Sequence, residues 1–435
     1  MTLAFGLLIA GIGLSPLLLI SDSAIVQGFL SAYIAITLLI TLISIPPGEA
    51  VFSGRILRPA AGLAVIPLIW MVLQVLPLPF SGIEHPIWES ARTTLAESLW
   101  GSITIDPGMT LVVIARYMAA LGICVVASAL CVDRQRAEIL LLALAGVTTL
   151  LALLAIVHNA GGFVFLGELS SVGPRASIAA SSVLGVSLTA ACMLLALERY
   201  ETRHGKRDFS FRYFFCIGVG TCIGFLLCWM NILLFASAPV MTAAFCGFGT
   251  FLLIVCFRRI GLGVRAGLCL TAAAAIIPLS VIIPGIWTNK TNLSILFAAE
   301  APATLTALTQ RILNDTSWLG SGAGTFQALL SIYRDPESAG LTSDAPTFAA
   351  SLLIGMGPVA LWLAVAGALI AFSWLLKGAL SRGRDSFFVA AAASCTLSLL
   401  IEAFVDGGLS TTIVVVIAAS VLGLGIAQRT SRTVR

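Results

Sequence analysis

The chain has 435 residues, of which 59% are hydrophobic and only 10% are charged, and its mean hydropathy is +1.05. Soluble globular domains carry about 25% charged residues, so this composition excludes that class and indicates a membrane protein. The formal net charge of +4 does not require a nucleic-acid partner, because the basic residues are spread over the predicted inner loops.

Apolar runs of about 20 residues, long enough to cross a hydrocarbon core of roughly 30 Å, recur along nearly the whole chain. The runs are continuous rather than alternating, which predicts helices and not a β-barrel. The predicted fold is therefore all-α and polytopic, with about twelve transmembrane helices. These spans cover approximately residues 3–20, 25–45, 60–78, 109–131, 138–158, 176–197, 213–235, 239–257, 266–287, 348–376, 386–405 and 409–427.

Two of the predicted spans need comment. The first lacks a basic segment and a small-residue cleavage site, so we interpret it as a transmembrane helix and not as a removed signal peptide. The run at 348–376 is longer than one span and is predicted to tilt or kink near Gly355 and Pro358.

The distribution of arginine and lysine predicts the orientation. With the N-terminus in the cytoplasm, most of the 24 basic residues fall in inner segments, including a cluster between residues 199 and 212. The positive-inside rule therefore favours both termini in the cytoplasm. All ten cysteines lie in or at the edge of predicted spans without metal-ligand spacing, so neither a disulfide framework nor a metal site or other cofactor is expected.

Most predicted loops are short, and one long outer loop divides the chain into three parts. Residues 1–287 hold the first nine predicted spans with an outer segment at 79–108, and residues 288–347 form one large periplasmic loop. Residues 348–435 hold the last three spans and a basic cytoplasmic tail. The two outer segments are the predicted places for chemistry outside the membrane.

Within the large loop, a short amphipathic helix, a glycine-rich GSGAGTF turn and a second short helix are predicted between residues 301 and 335. The turn lacks the lysine of a nucleotide-binding loop, and an outer loop meets no ATP. Gly320, Gly322 and Gly324 are then either a tight structural turn or an anion site formed by their amides. Arg311 and Arg334 flank the turn and suit the phosphate oxygens of a lipid.

Two further arginines are predicted to line an outward-opening basic cavity. Arg116 lies inside the fourth predicted span, where an arginine is costly unless it is paired or faces a pathway. Glu402 and Asp406, four residues apart on one helix face, are its predicted partners, with a structural ion pair and a substrate contact both open. Arg175 lies in SVGPRAS, at the start of the sixth span.

Several short motifs recur in the outer segments of the chain. An arginine, a tryptophan, GSGAGTF and a tyrosine follow one another in the late outer loop, and LPLPF followed by HPIW and ITIDPGMT forms the first outer segment. With SVGPRAS at the start of the sixth span and the twelve-span layout, these motifs resemble the O-antigen ligase and polymerase superfamily of bacterial inner-membrane enzymes. The first outer segment is similar to that of exopolysaccharide-type members, and SVGPRAS stands where the family often has a basic motif.

The resemblance implies inverting glycosyl transfer at the periplasmic face, without a nucleotide sugar, metal or cofactor. The implied donor is a polyprenyl-pyrophosphate-linked glycan, and the implied acceptor is a hydroxyl of a second glycan or lipid-glycan. Membrane lipids and proteins of a polysaccharide assembly are further implied partners. Arg311, Arg175 and Arg116 match arginines of the family, which implies that they hold the pyrophosphate.

The resemblance breaks at the expected catalytic base. Ligases of this family carry a histidine about eleven residues before the glycine of the next span, and here that position is Asp344. A carboxylate can serve as the base, and His85 or His158 could approach from other segments. A polymerase-type enzyme, a divergent ligase and an inactive assembly partner remain open. A transporter or flippase is the alternative from another class, although no matched halves are visible.

Overall fold

The computed structural model describes residues 1–19, 23–77, 84–161, 172–203, 211–260, 301–334, 344–382 and 385–429. Every regular element in these ranges is a helix. Eleven of the described helices are long and apolar enough to cross a membrane, which makes the chain a multi-pass membrane protein.

The described residues form fourteen α-helices and two 3₁₀ helices. The α-helices are α1 (Thr2–Leu14), α2 (Ala24–Ser44), α3 (Pro47–Val75), α4 (Ile87–Leu95), α5 (Pro107–Leu130), α6 (Arg134–Asn159), α7 (Val172–Arg203), α8 (Phe211–Phe235), α9 (Ala238–Ile260), α10 (Ala303–Asp315), α11 (Phe326–Tyr333), α12 (Phe348–Ser381), α13 (Ser386–Val405) and α14 (Thr412–Arg429). Two 3₁₀ helices, η1 (Ser15–Leu19) and η2 (Gly408–Ser410), follow α1 and α13.

The eleven spanning helices coincide with eleven of the twelve predicted spans, and the remaining one, at 266–287, lies outside the described residues. The largest difference is at α3, which starts at Pro47 and not near residue 60. Hydropathy identifies segments that lie in lipid and does not detect helical structure outside it. The prediction therefore missed the first turns of α3, which contain charged residues. The side of the membrane that the termini face stays a prediction.

Three helices, α7, α13 and α14, form the core of the bundle. In their most apolar stretches 83%, 72% and 78% of the residues are buried, against 11% in α3. Small side chains permit this burial, because they let neighbouring helices approach closely. In α13 they form the run AAAAS at residues 390–394. A Cβ on Gly425 would lie 2.4 Å from the Cβ of Ala392, so α14 approaches α13 closely.

The long helix α12 is broken, as its sequence predicted. Gly357 has φ +84° and ψ +166°, a conformation outside the helical region, and Pro358 follows it. Proline lacks the amide that a continuous helix would use at this point. The break separates a short N-terminal piece, 348–356, from the longer apolar remainder.

One end of the bundle is held by ion pairs. The Glu138 carboxylate accepts from Nε of Arg134 at 3.0 Å and also from Arg199, which joins α6 to α7. Nη2 of Arg134 lies 3.0 Å from Oδ1 of Asp385, just before α13. The opposite end, where α5, α12 and α14 begin, carries the candidate site.

Candidate functional site

The GSGAGTF turn packs against the break in α12 through its backbone. The Ser321 amide donates to the Ile354 carbonyl and the Gly322 amide to the Gly355 carbonyl, both at 2.9 Å. These amides therefore bind protein acceptors and are not offered to an anion. Of the two alternatives for the turn, the geometry favours a tight structural turn over an anion site.

The turn requires glycine for two reasons, namely its backbone conformation and the lack of room for a side chain. Gly320, Gly322 and Gly324 have φ values of +78°, +108° and +81°, which side-chain-bearing residues rarely adopt. A Cβ on Gly320 would lie 2.4 Å from the Gly355 carbonyl oxygen, and one on Gly322 would lie 2.0 Å from Oγ1 of Thr104. No other residue type fits these two approaches without displacing the backbone.

Gln74, near the end of α3, holds the turn and the broken helix together. Its Nε2 donates to the Leu319 and Gly355 carbonyls, both at 2.9 Å, and its Oε1 accepts from the Ala323 amide at 3.3 Å. The side chain is fully buried, so each of these bonds offsets the cost of its desolvation. Sequence reasoning missed Gln74, although a lone amide in the apolar run LIWMVLQV is a visible signal.

The first outer segment joins the same assembly. The Ile105 amide donates to the Ser321 carbonyl at 3.0 Å, and the Thr104 amide donates to the Gln74 carbonyl at 3.1 Å. Trp88 reaches the Thr104 carbonyl through Nε1 at 3.1 Å. We call this assembly of residues 317–324, Gln74, Thr104 and the α12 break the glycine junction.

A cavity of about 370 Å³ lies beside the glycine junction. Among the described lining residues, Arg116 is the one cation and Asp344 the one anion, and with Gly324 they are three predicted site residues that line one cavity. The remaining wall is mixed. Its polar members are Gln27, Ser177, Gln327, Thr347, Ser351, Ser410, Thr411 and Thr412, and its apolar members include Leu18, Met109, Val113 and Phe326.

The wall of the cavity is built largely from helix N-termini. Among the described elements, α2, α5, α7, α11, α12 and α14 each contribute a residue from their first two turns. A helix N-terminus carries a partial positive charge, so the ends gathered around this cavity favour an anionic ligand. The sequence alone did not show that these ends converge.

Arg116 lies on α5 nine residues after Pro107, roughly 14 Å along the helix axis. Its Nη2 donates to the carbonyl of Ser410, 294 residues away in the chain. The predicted pairing of Arg116 with Glu402 is wrong, and its pairing with Asp406 stays a prediction. Glu402 is fully buried, and neither of its carboxylate oxygens makes a hydrogen bond within the described part of the chain. The sequence showed only that Glu402 and Asp406 share one helix face. The packing of the helices buries that position of Glu402 in the core of the bundle.

Asp344 is an exposed residue four positions before Phe348, the first residue of α12. The helix start behind it is well fixed, because Oγ1 of Thr347 accepts from the Ala350 amide at 3.1 Å. The Phe348 amide donates to the Asp406 carbonyl at 3.0 Å, which ties this start to the end of α13. Asp344 is thus an exposed residue of the cavity wall, three positions before this anchored helix start.

The other predicted arginines do not line the cavity. Arg311 is exposed on α10, Arg334 is half-buried after α11, and Arg175 is exposed on α7, two residues before the lining residue Ser177. The hairpin of α10 and α11 is closed by Tyr333, whose hydroxyl lies 2.8 Å from Oδ2 of Asp315. Burial raises the pKa of the Tyr333 phenol, so the hydroxyl stays a donor to this carboxylate.

The two outer histidine candidates also lie away from the cavity wall. His85 begins the folded first outer segment, where its backbone amide donates to the Ser102 carbonyl at 3.1 Å and its Nδ1 accepts from the Ile87 amide at 3.3 Å. Burial lowers the pKa of the His85 imidazole and favours its neutral form. His158 is in the last turn of α6. Of the candidate bases, only Asp344 lines the cavity.

Within the described residues, no group of three or more His, Cys, Asp or Glu side chains is arranged to hold a metal ion. No protein-family model matches the sequence, and no curated protein is significantly similar to it. The resemblance to the ligase and polymerase superfamily therefore stays a prediction, and the site itself is the basis for a function.

Proposed function

We propose that this protein transfers a glycan from a polyprenyl-pyrophosphate-linked donor to a hydroxyl of an acceptor glycan, at the periplasmic face of a bacterial inner membrane. The observation that carries the proposal is the cavity, where Arg116, six helix N-termini and the accessible carboxylate of Asp344 meet. A pyrophosphate leaving group needs positive potential, and an attacking hydroxyl needs a base. The cavity wall offers both.

Arg116 and the helix ends are suited to the departing pyrophosphate. When the bond between the anomeric carbon and the pyrophosphate oxygen breaks, its electron pair and negative charge pass to that oxygen. Fixed positive dipoles and a guanidinium stabilise this charge without reorganising during the reaction. Removing a single donor of this kind typically lowers the rate by about 10²- to 10³-fold.

Asp344 is suited to the acceptor side of the reaction. The acceptor hydroxyl oxygen forms the new bond to the anomeric carbon on the face opposite the leaving group, which inverts the configuration. Its proton passes to the Asp344 carboxylate. An exposed carboxylate on the wall is accessible to an acceptor, and general bases of this kind contribute about 10²- to 10⁴-fold.

The test is complementation of a deletion strain, followed by transfer assays with purified protein and a lipid-linked oligosaccharide. We expect Arg116→Ala and Asp344→Asn each to lower transfer by about 10²-fold or more. Asp315→Asn is the matched control, because Asp315 is an exposed carboxylate of the same loop region and binds Tyr333. Full activity of both cavity variants would refute the proposed chemistry.

Arg311→Ala distinguishes the cavity from the loop as the pyrophosphate site. The resemblance implies that Arg311 holds the donor, whereas the cavity lining includes Arg116 and not Arg311. We expect Arg311→Ala to retain more activity than Arg116→Ala. Loss of polysaccharide on deletion, combined with full activity of Asp344→Asn, would favour an assembly role without catalysis by this carboxylate.

Transport of a lipid-linked glycan is the second candidate, and the broken helix α12 favours it. Carriers often form their sites from interrupted helices whose N-terminal ends face the substrate, and the piece 348–356 begins at this cavity. Reconstitution in vesicles separates the two functions. Movement of the donor across the bilayer without acceptor would support transport, and a new glycosidic bond would support transfer.

A further inference from the structure

A short turn with the sequence DGGLST, residues 406–411, connects α13 to α14 and borders the cavity. Two of its residues, Gly407 and Ser410, line the cavity together with Arg116 and Asp344. The turn contacts Arg116 itself on one side and the chain segment of Asp344 on the other. Its position therefore bears on the separation of the two charged residues.

On one side the DGGLST turn binds Arg116. Nη2 of Arg116 donates to the carbonyl of Ser410. A guanidinium is a planar fork of donors, so a hydrogen bond from one of its nitrogens to a fixed acceptor limits the directions in which the others can point. The orientation of Arg116 toward the cavity therefore depends on where the Ser410 carbonyl is held.

Paired hydrogen bonds hold that carbonyl in place. The amide and the hydroxyl of Ser410 both donate to the Gly407 carbonyl, at 2.9 and 2.6 Å. The amide and the hydroxyl of Thr411 donate in the same way to the Gly408 carbonyl, at 3.1 and 2.7 Å. The Ser410 carbonyl and the Thr411 amide belong to one planar peptide group. The bond from this amide to Gly408 therefore sets the direction of the carbonyl that Arg116 binds.

Gly408 packs the turn against α7. A Cβ on Gly408 would lie 2.7 Å from the Ala176 carbonyl oxygen and 3.0 Å from the Cβ of Ala180. Rotation of a side chain cannot relieve a contact this short with a backbone oxygen, so a larger residue at this position must move the turn relative to α7. Such a movement shifts the Ser410 carbonyl relative to Arg116.

Gly407 holds the turn against the segment of the carboxylate. A Cβ on Gly407 would lie 3.0 Å from the carbonyl oxygen of Ala345, the residue after Asp344. The φ of Gly407 is −83°, which any residue adopts, so glycine is needed here for the close approach and not for the backbone conformation. The turn thus touches the carboxylate segment through Gly407 and the guanidinium through Ser410.

We propose that Gly408 is a positioning residue, which acts through the Ser410 carbonyl on the guanidinium of Arg116, and that Gly407 positions the segment of Asp344. The inference rests on the proposed function and adds the element that sets the separation of the leaving-group site and the base. Both groups must act on one anomeric carbon, and a misplacement of about 1 Å can lower a rate about 10²-fold. A rigid turn that contacts both sides meets this requirement.

The experiment is a double-mutant cycle between Gly408 and Arg116 in the purified full chain. We expect Gly408→Ala to lower glycan transfer and to weaken binding of inorganic pyrophosphate by about tenfold each, the loss typical of one hydrogen bond to a charged group. In the Arg116→Ala protein the same substitution should lower the remaining transfer by no more than about twofold, because the guanidinium through which it acts is absent.

Gly423→Ala is the matched control. A Cβ on Gly423 would lie 2.6 Å from the Cys124 carbonyl oxygen, a contact as short as the one at Gly408, but about 16 Å along α14 from Thr412. We expect this substitution to lower the thermal stability as Gly408→Ala does and to leave pyrophosphate binding unchanged. Its effect on transfer should be the same with and without Arg116→Ala.

Gly407→Ala tests the other side of the turn and replaces Gly408→Ala should that protein not fold. Its 3.0 Å contact with Ala345 requires a smaller adjustment than the contact at Gly408. We expect it to lower transfer but not pyrophosphate binding, and to have little further effect in the Asp344→Asn protein.

Additive effects of Gly408→Ala and Arg116→Ala on transfer would overturn the inference, since Gly408 would then act on the fold as a whole. Equal pyrophosphate binding by the Gly408→Ala and Gly423→Ala proteins would also overturn it. A protein whose pyrophosphate binding depends on Gly408 but which transfers no glycan would retain the inference for an anion site and lose the proposed function. Transfer with additive effects would retain the proposed function alone.

Discussion

Two buried glutamates show that the effect of a buried carboxylate on stability depends on its hydrogen-bond and ion-pair partners. Glu138 has 7% of its side chain exposed and binds Arg134 and Arg199. Glu402 is completely buried, and its carboxylate has no hydrogen-bond partner among the described residues. A buried polar group without a partner destabilises a fold, whereas a paired one becomes costly only when its partner is removed.

We therefore expect Glu402→Met to stabilise the protein by about 1–3 kcal/mol and Glu138→Met to destabilise it by a similar amount. The described cysteines, most of them buried or partly buried, allow the measurement, because a thiol-reactive dye reports their exposure during thermal unfolding in detergent. Equal destabilisation by both substitutions would contradict this assignment and show that Glu402 stabilises the fold.

At the scale of elements, the glycine junction decides where the helices meet. A Cβ on Gly357 would lie 2.2 Å from the Trp318 carbonyl oxygen, and its φ and ψ belong to a region populated almost only by glycine. The turn, the broken helix and the end of α3 can approach only because these backbones carry no side chains there. Gly324 of the junction also lines the cavity.

Gly357→Ala should destabilise the protein by about 3 kcal/mol or more, because it adds backbone strain to a steric clash. Gly367→Ala on the same helix is the control, since a Cβ there meets no atom within 4 Å and alanine favours a helix. Thermal unfolding of the two variants gives the comparison. A Gly357→Ala protein as stable as its control would show that the junction does not constrain the fold.

At the scale of the whole molecule, the proposed function requires the cavity to face the periplasm. The ion pairs of Glu138 and Asp385 and the cavity lie at opposite ends of the bundle. The positive-inside rule assigns the arginine-rich end to the cytoplasm. This assignment rests on the distribution of charge along the chain.

Cysteine labelling in intact cells tests this orientation. Gln327 lines the cavity and is exposed, and Lys377 is exposed on the distal part of α12. A membrane-impermeant maleimide should label Gln327→Cys in intact cells and Lys377→Cys only after permeabilisation, with the unmodified chain measuring background from native cysteines. The reverse pattern would place the cavity in the cytoplasm and exclude periplasmic glycosyl transfer.

Sequence reasoning located features that depend on neighbours along the chain. The span at 386–405 and the start of α12 at Phe348 agree with the prediction, because a run of about 20 apolar residues is a local property. The break near Gly355 and Pro358 was readable for the same reason. Arg116 stood out as a charged residue inside a predicted span, whereas Asp344 was singled out because it stands where the resembled family carries its histidine.

What the amino-acid sequence determined by itself is the class of molecule, the position of its helices and the residues able to do chemistry. The tertiary structure decided which of those residues meet. Arg116 reaches Ser410 across 294 residues, and Gln74 reaches Gly355 across 281. Such pairings follow from the packing of whole helices, which no local pattern encodes. For that reason the pairing of Arg116 with Glu402 failed as a prediction, while the cavity shared by Arg116 and Asp344 emerged only from the fold.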